Sequence, residues 1–125
     1  MMSSVIERIN AKTPEYQPKW SFLEKFDEEW IRYVNGVNGF YYKWLAVAVS
    51  VVQPRNILDL GTYTGASAVM MYSEMPDGAT LTSVDISPDH RFVPASMKRD
   101  RRVRFVIGND LDLAIYGDNQ PEDID

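Results

Sequence analysis

The run Ile57-Leu58-Asp59-Leu60-Gly61-Thr62-Tyr63-Thr64-Gly65-Ala66-Ser67-Ala68 joins two opposite patterns. Together with Asn56, its first part is a short apolar segment bounded by Pro54-Arg55 and Gly61, which suits a buried parallel strand. Its last part opens residues 66–75, rich in Ala and Met, which favour helix. Gly61 and Gly65 bracket the loop between them. Glycine there lets the chain turn sharply and lets a ligand come close to the backbone.

Downstream the alternation continues. Pro76-Asp77-Gly78 is a turn signal. Residues 80–86 are β-rich and carry Asp85 near their end. Ser87-Pro88-Asp89 reads as a helix start, with Ser87 as cap and Pro88 in the first turn, and Pro94 keeps that helix short or broken. Val103–Ile107 is a third strand, followed by Gly108-Asn109-Asp110 and a short helix over 111–116. Upstream the chain reads as helical. A short helix spans 2–10 and ends near Thr13-Pro14. A second spans 21–34, with Leu23, Phe26, Trp30 and Val34 at helical spacing and Asn35-Gly36 as its stop. A third runs from Asn38 or Gly39 to Val52, ended by Pro54.

Strands alternating with helices imply an α/β, Rossmann-like parallel sheet, here in strand order 3-2-1 and preceded by N-terminal helices. The expected division is a helical segment over 1–53, packing on or capping the sheet, and a β-α-β-α-β half-domain over 54–125. Ligands of such sheets bind outside the carboxyl ends of the strands. Gly61 to Gly65, Asp85 and Gly108 to Asp110 all fall there. A dinucleotide fold would want G-x-G-x-x-G, and the positions here are Gly61, Tyr63 and Ala66, so a diphosphate would meet a side chain. No Gly-Lys-Ser/Thr follows, which excludes the P-loop.

What remains is Asp-x-Gly-x-x-x-Gly: Asp59, Gly61, Gly65. This run resembles the first motif of the class I S-adenosylmethionine-dependent methyltransferases. More narrowly it is similar to the catechol and caffeoyl-CoA O-methyltransferase-like group, whose Gly-x-Tyr/Phe-x-Gly loop is followed by an aromatic residue and serine. Tyr63, Gly65 and Ser67 are kept, whereas Ala66 stands where those relatives usually have tyrosine. The resemblance covers about residues 54–110.

The resemblance implies S-adenosyl-L-methionine as cofactor and O-methyl transfer to a small molecule. It assigns Asp59, Gly61, Thr62, Tyr63, Gly65, Ser67, Asp85, Ile86, Asn109 and Asp110 to cofactor binding. Ser67 would donate to the methionyl carboxylate, and Asp59 would orient the tail amine or the loop amides. Asp85, at the end of strand two, would accept from both ribose hydroxyls. Asn109 or, by a one-residue slip, Asp110 would accept from the adenine amino group. Each also has a plainer reading. The glycines make a bare turn, Asp85 is a turn acid, and Asn109 and Asp110 are helix caps.

The family sheet has seven strands in the order 3-2-1-4-5-7-6, and the chain stops where strand four would start. The expectation is therefore a truncated, cofactor-binding half that by itself binds cofactor weakly, if at all, and has little activity. The catalytic base and any divalent metal would belong to the missing half. Strand one would be an exposed apolar edge, open to sheet completion by a partner or to self-association. A non-catalytic nucleoside-binding or assembly module, or transfer to nitrogen or carbon, stays open beside the main reading.

Composition sets the outer limits. The chain has 125 residues, 45% of them hydrophobic, with a formal net charge of −5, so it lacks the basic footprint of a nucleic-acid binder. There is no cysteine, which excludes a disulfide framework and a zinc-thiolate site. No signal core or membrane span is visible, and a cytoplasmic protein is expected. His90 reads as a surface histidine, Lys98-Arg99-Asp100-Arg101-Arg102 as a solvated loop, and the acidic residues 118–125 as a loop. The aromatic group Trp20, Phe22, Phe26, Trp30, Phe40, Tyr41 and Trp44 reads as core, with Tyr41, Tyr42 and Trp44 also candidates for substrate contact.

Overall fold

A computed structural model describes residues 2–18, 39–61, 65–85 and 93–109. Helix α1 (Met2–Lys12) runs into a 3₁₀ turn at Thr13–Glu15. Then follow α2 (Gly39–Val52), β1 (Asn56–Leu60), α3 (Ala66–Ser73), β2 (Thr80–Asp85), α4 (Ala95–Arg99) and β3 (Val103–Ile107). The helices expected over 21–34 and 111–116, the cap at Ser87, His90 and the acidic stretch 118–125 lie outside the described residues.

The three strands form one parallel sheet with β2 in the middle, the expected order read from either end. Its register pairs Ile57 with Leu81 and Asp59 with Ser83, and carries Leu81, Ser83 and Asp85 on to Val103, Phe105 and Ile107. Side chains alternate across a sheet. Ile57, Leu81, Val103 and Phe105 therefore share one face with Asp59, Ser83 and Asp85. The apolar members of that face meet Val69 and Met70 of α3 and Met97 of α4 in a single core cluster. Both crossover helices thus cover the same face, which is how successive right-handed β-α-β units run in one direction along a sheet.

Helix α3 is buried nearly all round, at Ala66, Ala68, Val69, Met70 and Met71, because it touches α2 on one side and β2 on the other. A helix without a polar face is stable only in such a place. Helix α2 offers Tyr42, Ala46 and Val49, spaced for one stripe, to the same cluster. It ends at Gln53, whose N–H still donates to the Val49 carbonyl at 2.9 Å and whose left-handed φ of 53° turns the chain out of the helix before Pro54. Helix α1 stacks on α2 through the buried Ile9, and the Thr13 hydroxyl donates to the Ile9 carbonyl at 2.6 Å.

Several expectations need correction. Helix α3 stops at Ser73 rather than Met75, since Pro76 disfavours a helical Met75 and the Ser73 hydroxyl donates to the Met70 carbonyl. Pro94 caps α4, and the helix expected to start at Ser87 lies outside the described residues. The basic run is not a solvated loop throughout: Lys98 and Arg99 close α4. Asp100 accepts from the Arg102 guanidinium at 2.8 Å and from the Tyr72 hydroxyl at 2.8 Å, tying the α4–β3 turn to α3. Strand β1 is buried on one face only, and Leu60 on the other is half-exposed. Phe40 and Tyr41 are exposed, not core. Tyr42, expected only as a candidate for substrate contact, is part of the core and packs edge-on against Tyr41. Trp44 donates its indole N–H to Asn10 at 2.7 Å. Among the described residues no helix is long and apolar enough to cross a membrane.

Candidate functional site

The three strand ends meet at one mouth. The Gly61 N–H donates to the Val84 carbonyl at 2.7 Å, and the Gly108 N–H donates to the Asp85 carbonyl at 3.0 Å. The chain leaving β1 and the chain leaving β3 are therefore both tied to the last two residues of β2. Gly61 and Gly65 each have φ +89°, a left-handed value that only glycine takes without strain. Their surroundings differ. A Cβ on Gly65 would collide with the Val93 side chain, so this glycine serves the close packing at the start of α3. A Cβ on Gly61 would meet nothing within 4 Å. Gly61, directly after β1, therefore leaves room for a ligand to approach the backbone at that end of the sheet.

Asp59 is the chemical centre of the described site. Only 8% of it is exposed, and it sits on the core face two residues beyond Ile57. The Ser83 hydroxyl, from the fully buried β2 partner across the register, donates to Asp59 Oδ2 at 2.7 Å. The Ser67 hydroxyl, from the first turn of α3, is shared between Oδ1 at 3.1 Å and Oδ2 at 3.2 Å. Burial pushes the Asp59 carboxyl above its usual range; the Ser83 and Ser67 hydrogen bonds pull it back, and the nearby Asp85 charge pushes it further up. Two carboxylates on one face, one buried and one half-buried at Asp85, make this mouth a place for cationic and hydroxyl-bearing groups.

The structure brings together Asp59, Gly61, Gly65, Ser67 and Asp85, and places Asn109, exposed, directly after Gly108. Thr62, Tyr63, Ile86 and Asp110 lie outside the described residues. Sequence reading passed over Ser83. Its signal was present in the alternation Leu81-Ser83-Asp85, a hydroxyl on the same face as the acid two residues later. At the opposite end of the sheet, a concavity of about 490 Å³ lies between the stretches 53–56 and 76–79. It adjoins turns and carries no acid–base pair or nucleophile cluster. Among the described residues, no group of three His, Cys, Asp or Glu could hold a metal ion.

Residues 37–109 match the O-methyltransferase family model. A catechol O-methyltransferase of Mus musculus is 30% identical over 102 residues, a match that spans 74% of this chain and 37% of that protein. An O-methyltransferase from Bacillus cereus, solved in complex with SAH, superposes with a TM-score of 0.59 at 23% identity, over 94% of this chain and 57% of the other. TomG, an O-methyltransferase from Streptomyces achromogenes solved with SAM, gives 0.53 at 22% identity, over 86% and 53%. The SAH-bound methyltransferase PaMTH1 from Podospora anserina gives 0.51 at 16% identity, over 85% and 50%. The fold is shared with these structures, and the chain spans roughly half of their length and just over a third of the curated relative.

Proposed function

The chain belongs to the O-methyltransferase family, and on that premise we propose that it supplies the cofactor-binding part of a site that transfers methyl from S-adenosylmethionine to an oxygen of a small molecule. The observation that carries this reading is the shared mouth of Gly61, Asp59 and Asp85 at the carboxyl end of β2. S-adenosylmethionine has a ribose diol, a positively charged sulfonium and a zwitterionic amino-acid tail, and no phosphate. Those groups match two carboxylates and an open glycine backbone. A dinucleotide would instead ask for a second loop glycine where Tyr63 stands.

The roles divide by position. Asp85 accepts from the ribose hydroxyls, each charge-assisted bond contributing on the order of 1.5–3 kcal/mol. Asp59 faces the tail ammonium, and Ser67 lends its hydroxyl to the tail carboxylate. Gly61 lets the nucleoside lie flat on the loop. Asn109 or Asp110 reads the adenine amino group, and the family motif assigns Thr62, Tyr63 and Ile86 to cofactor binding as well. The cofactor supplies an electrophilic methyl for in-line displacement. This part of the chain contributes orientation, which can supply much of the rate in such a transfer. The substrate is a small hydroxyl compound, as the Mus musculus relative's name suggests for that protein.

Calorimetry with S-adenosylmethionine, S-adenosylhomocysteine and NAD tests the reading. The first two should bind and NAD should not, and Asp85→Ala should weaken S-adenosylhomocysteine by about ten- to a hundredfold. NAD binding of equal strength, or an Asp85→Ala variant that binds like the parent, would sink it.

A further inference from the structure

We infer that Ser83 is a positioning residue of this crevice: its hydroxyl, enclosed between β1 and β2, holds the Asp59 carboxylate in the orientation that leaves Ser67 exchangeable to a ligand. The inference rests on the cofactor reading above and names a residue that reading did not use.

Three observations carry it. The first is the inequality of the two hydroxyls on Asp59. The Ser83 bond is short, 2.7 Å, to one oxygen, and its donor is fully buried. The Ser67 bond is split at 3.1 and 3.2 Å over both oxygens, and its donor is only partly buried, at the mouth. A short enclosed bond anchors; a long shared one at the surface is the one a ligand carboxylate can take over.

The second is Ser83's place in the strand. Leu81 before it on the same face is in the apolar core, and Asp85 after it reaches the mouth. At this central position packing alone would favour a β-branched apolar residue, and a buried hydroxyl is tolerated because it is bonded. The third is the register. Ser83 is the direct cross-strand partner of Asp59, so its reach is set by the sheet rather than by a loop. A rigid strand holds a side chain to closer tolerance than a loop does.

If Ser83 orients Asp59, it also keeps it charged. Asp59 is buried, faces the Asp85 charge from β2 and the Ser67 hydroxyl from α3, and depends on these two serines to hold its carboxyl down. Removing the Ser83 hydroxyl should leave Asp59 protonated over a wider range of pH and unable to meet a ligand ammonium.

The test uses the full 125-residue chain, its Ser83→Ala and Ser83→Thr variants, and two readouts. One is the carboxyl carbon titration of Asp59 by NMR, assigned through Asp59→Asn. The other is S-adenosylhomocysteine binding across pH. Ser83→Ala should move the Asp59 midpoint upward. It should weaken binding about tenfold below the new midpoint, with less weakening as pH rises above it. Ser83→Thr, which keeps the hydroxyl, should restore both. An unmoved Asp59 midpoint in a folded Ser83→Ala protein overturns the inference, and so does an equal loss of binding at every pH, the mark of a merely structural role. Should Ser83→Ala lose its native amide spectrum, Ser83→Cys gives the same readouts with a poorer donor. Failure of the unsubstituted chain to bind S-adenosylhomocysteine would overturn the cofactor reading separately, because the Asp59 titration does not depend on it.

Discussion

Asp59 sits on the same face of β1 as Ile57, two residues nearer the loop, yet it is charged where Ile57 is apolar. Its carboxyl lies above the usual range because burial outweighs the two serine hydrogen bonds. The consequence for stability has a definite sign. A raised folded value means the folded state prefers the protonated acid. This group's stabilising contribution is present below about pH 4, the ordinary carboxylate value, and is lost as pH rises through the folded value. Ionised Asp59 therefore costs folding stability at neutral pH, in the manner of a group kept for binding. Asp59→Asn should raise the melting temperature at pH 7, leave it near that of the parent at pH 4, and abolish S-adenosylhomocysteine binding. Thermal unfolding at the two pH values checks the first part and calorimetry the second.

Among the elements, the β1–α3 junction separates two uses of glycine. Gly61 and Gly65 have the same φ, so a methyl group strains both alike, by about 1 kcal/mol. At Gly65 it also strikes Val93, and overpacking of that kind adds roughly 1–3 kcal/mol. Gly65→Ala should therefore lower stability by about 2–4 kcal/mol. Gly61→Ala should lower it by only about 1 kcal/mol and yet cost more binding than stability, since its methyl projects into open space at the mouth. Urea unfolding beside S-adenosylhomocysteine titration of the two variants separates these outcomes. Equal destabilisation would mean that the loop at Gly61 is as tightly packed as the one at Gly65.

At the level of the molecule, two tyrosine contacts bind the helices to the rest and set opposite limits of pH. The Tyr16 hydroxyl donates to Glu74 at 3.2 Å, joining the segment after α1 to the end of α3, and burial pushes it up to about 12. Its contribution is present below pH 10 and lost between about 10 and 12. Asp100 behaves in reverse. The Arg102 guanidinium and the Tyr72 hydroxyl hold its carboxyl well below the usual carboxylate range. Its contribution is present above about pH 4 and lost as pH falls further. Stability against urea should fall off at both extremes. Tyr16→Phe should flatten the alkaline limb while costing about 1 kcal/mol at neutral pH. An alkaline limb unchanged by Tyr16→Phe would assign it to another group.

The sheet order, the three strands, the long helix before them and the glycine loop were all readable without coordinates, and for one reason. Each depends on short-range pattern: β-rich runs five or six residues long, proline and glycine near their ends, and the alternation of strand with helix. The acids Asp59 and Asp85 could be placed at strand ends by the same counting. What counting could not reach was which side chains share a face and touch. The Ser83 hydroxyl on Asp59 depends on the register between β1 and β2. The unequal surroundings of Gly61 and Gly65 depend on where Val93 comes to rest, and the burial of Tyr42 beside the exposed Tyr41 depends on which stripe of α2 meets α3. Local pattern encodes the elements because backbone sterics and helix or strand periodicity act over a few residues. Contacts between elements are decided by packing among residues far apart in the chain, and only the folded chain holds that information.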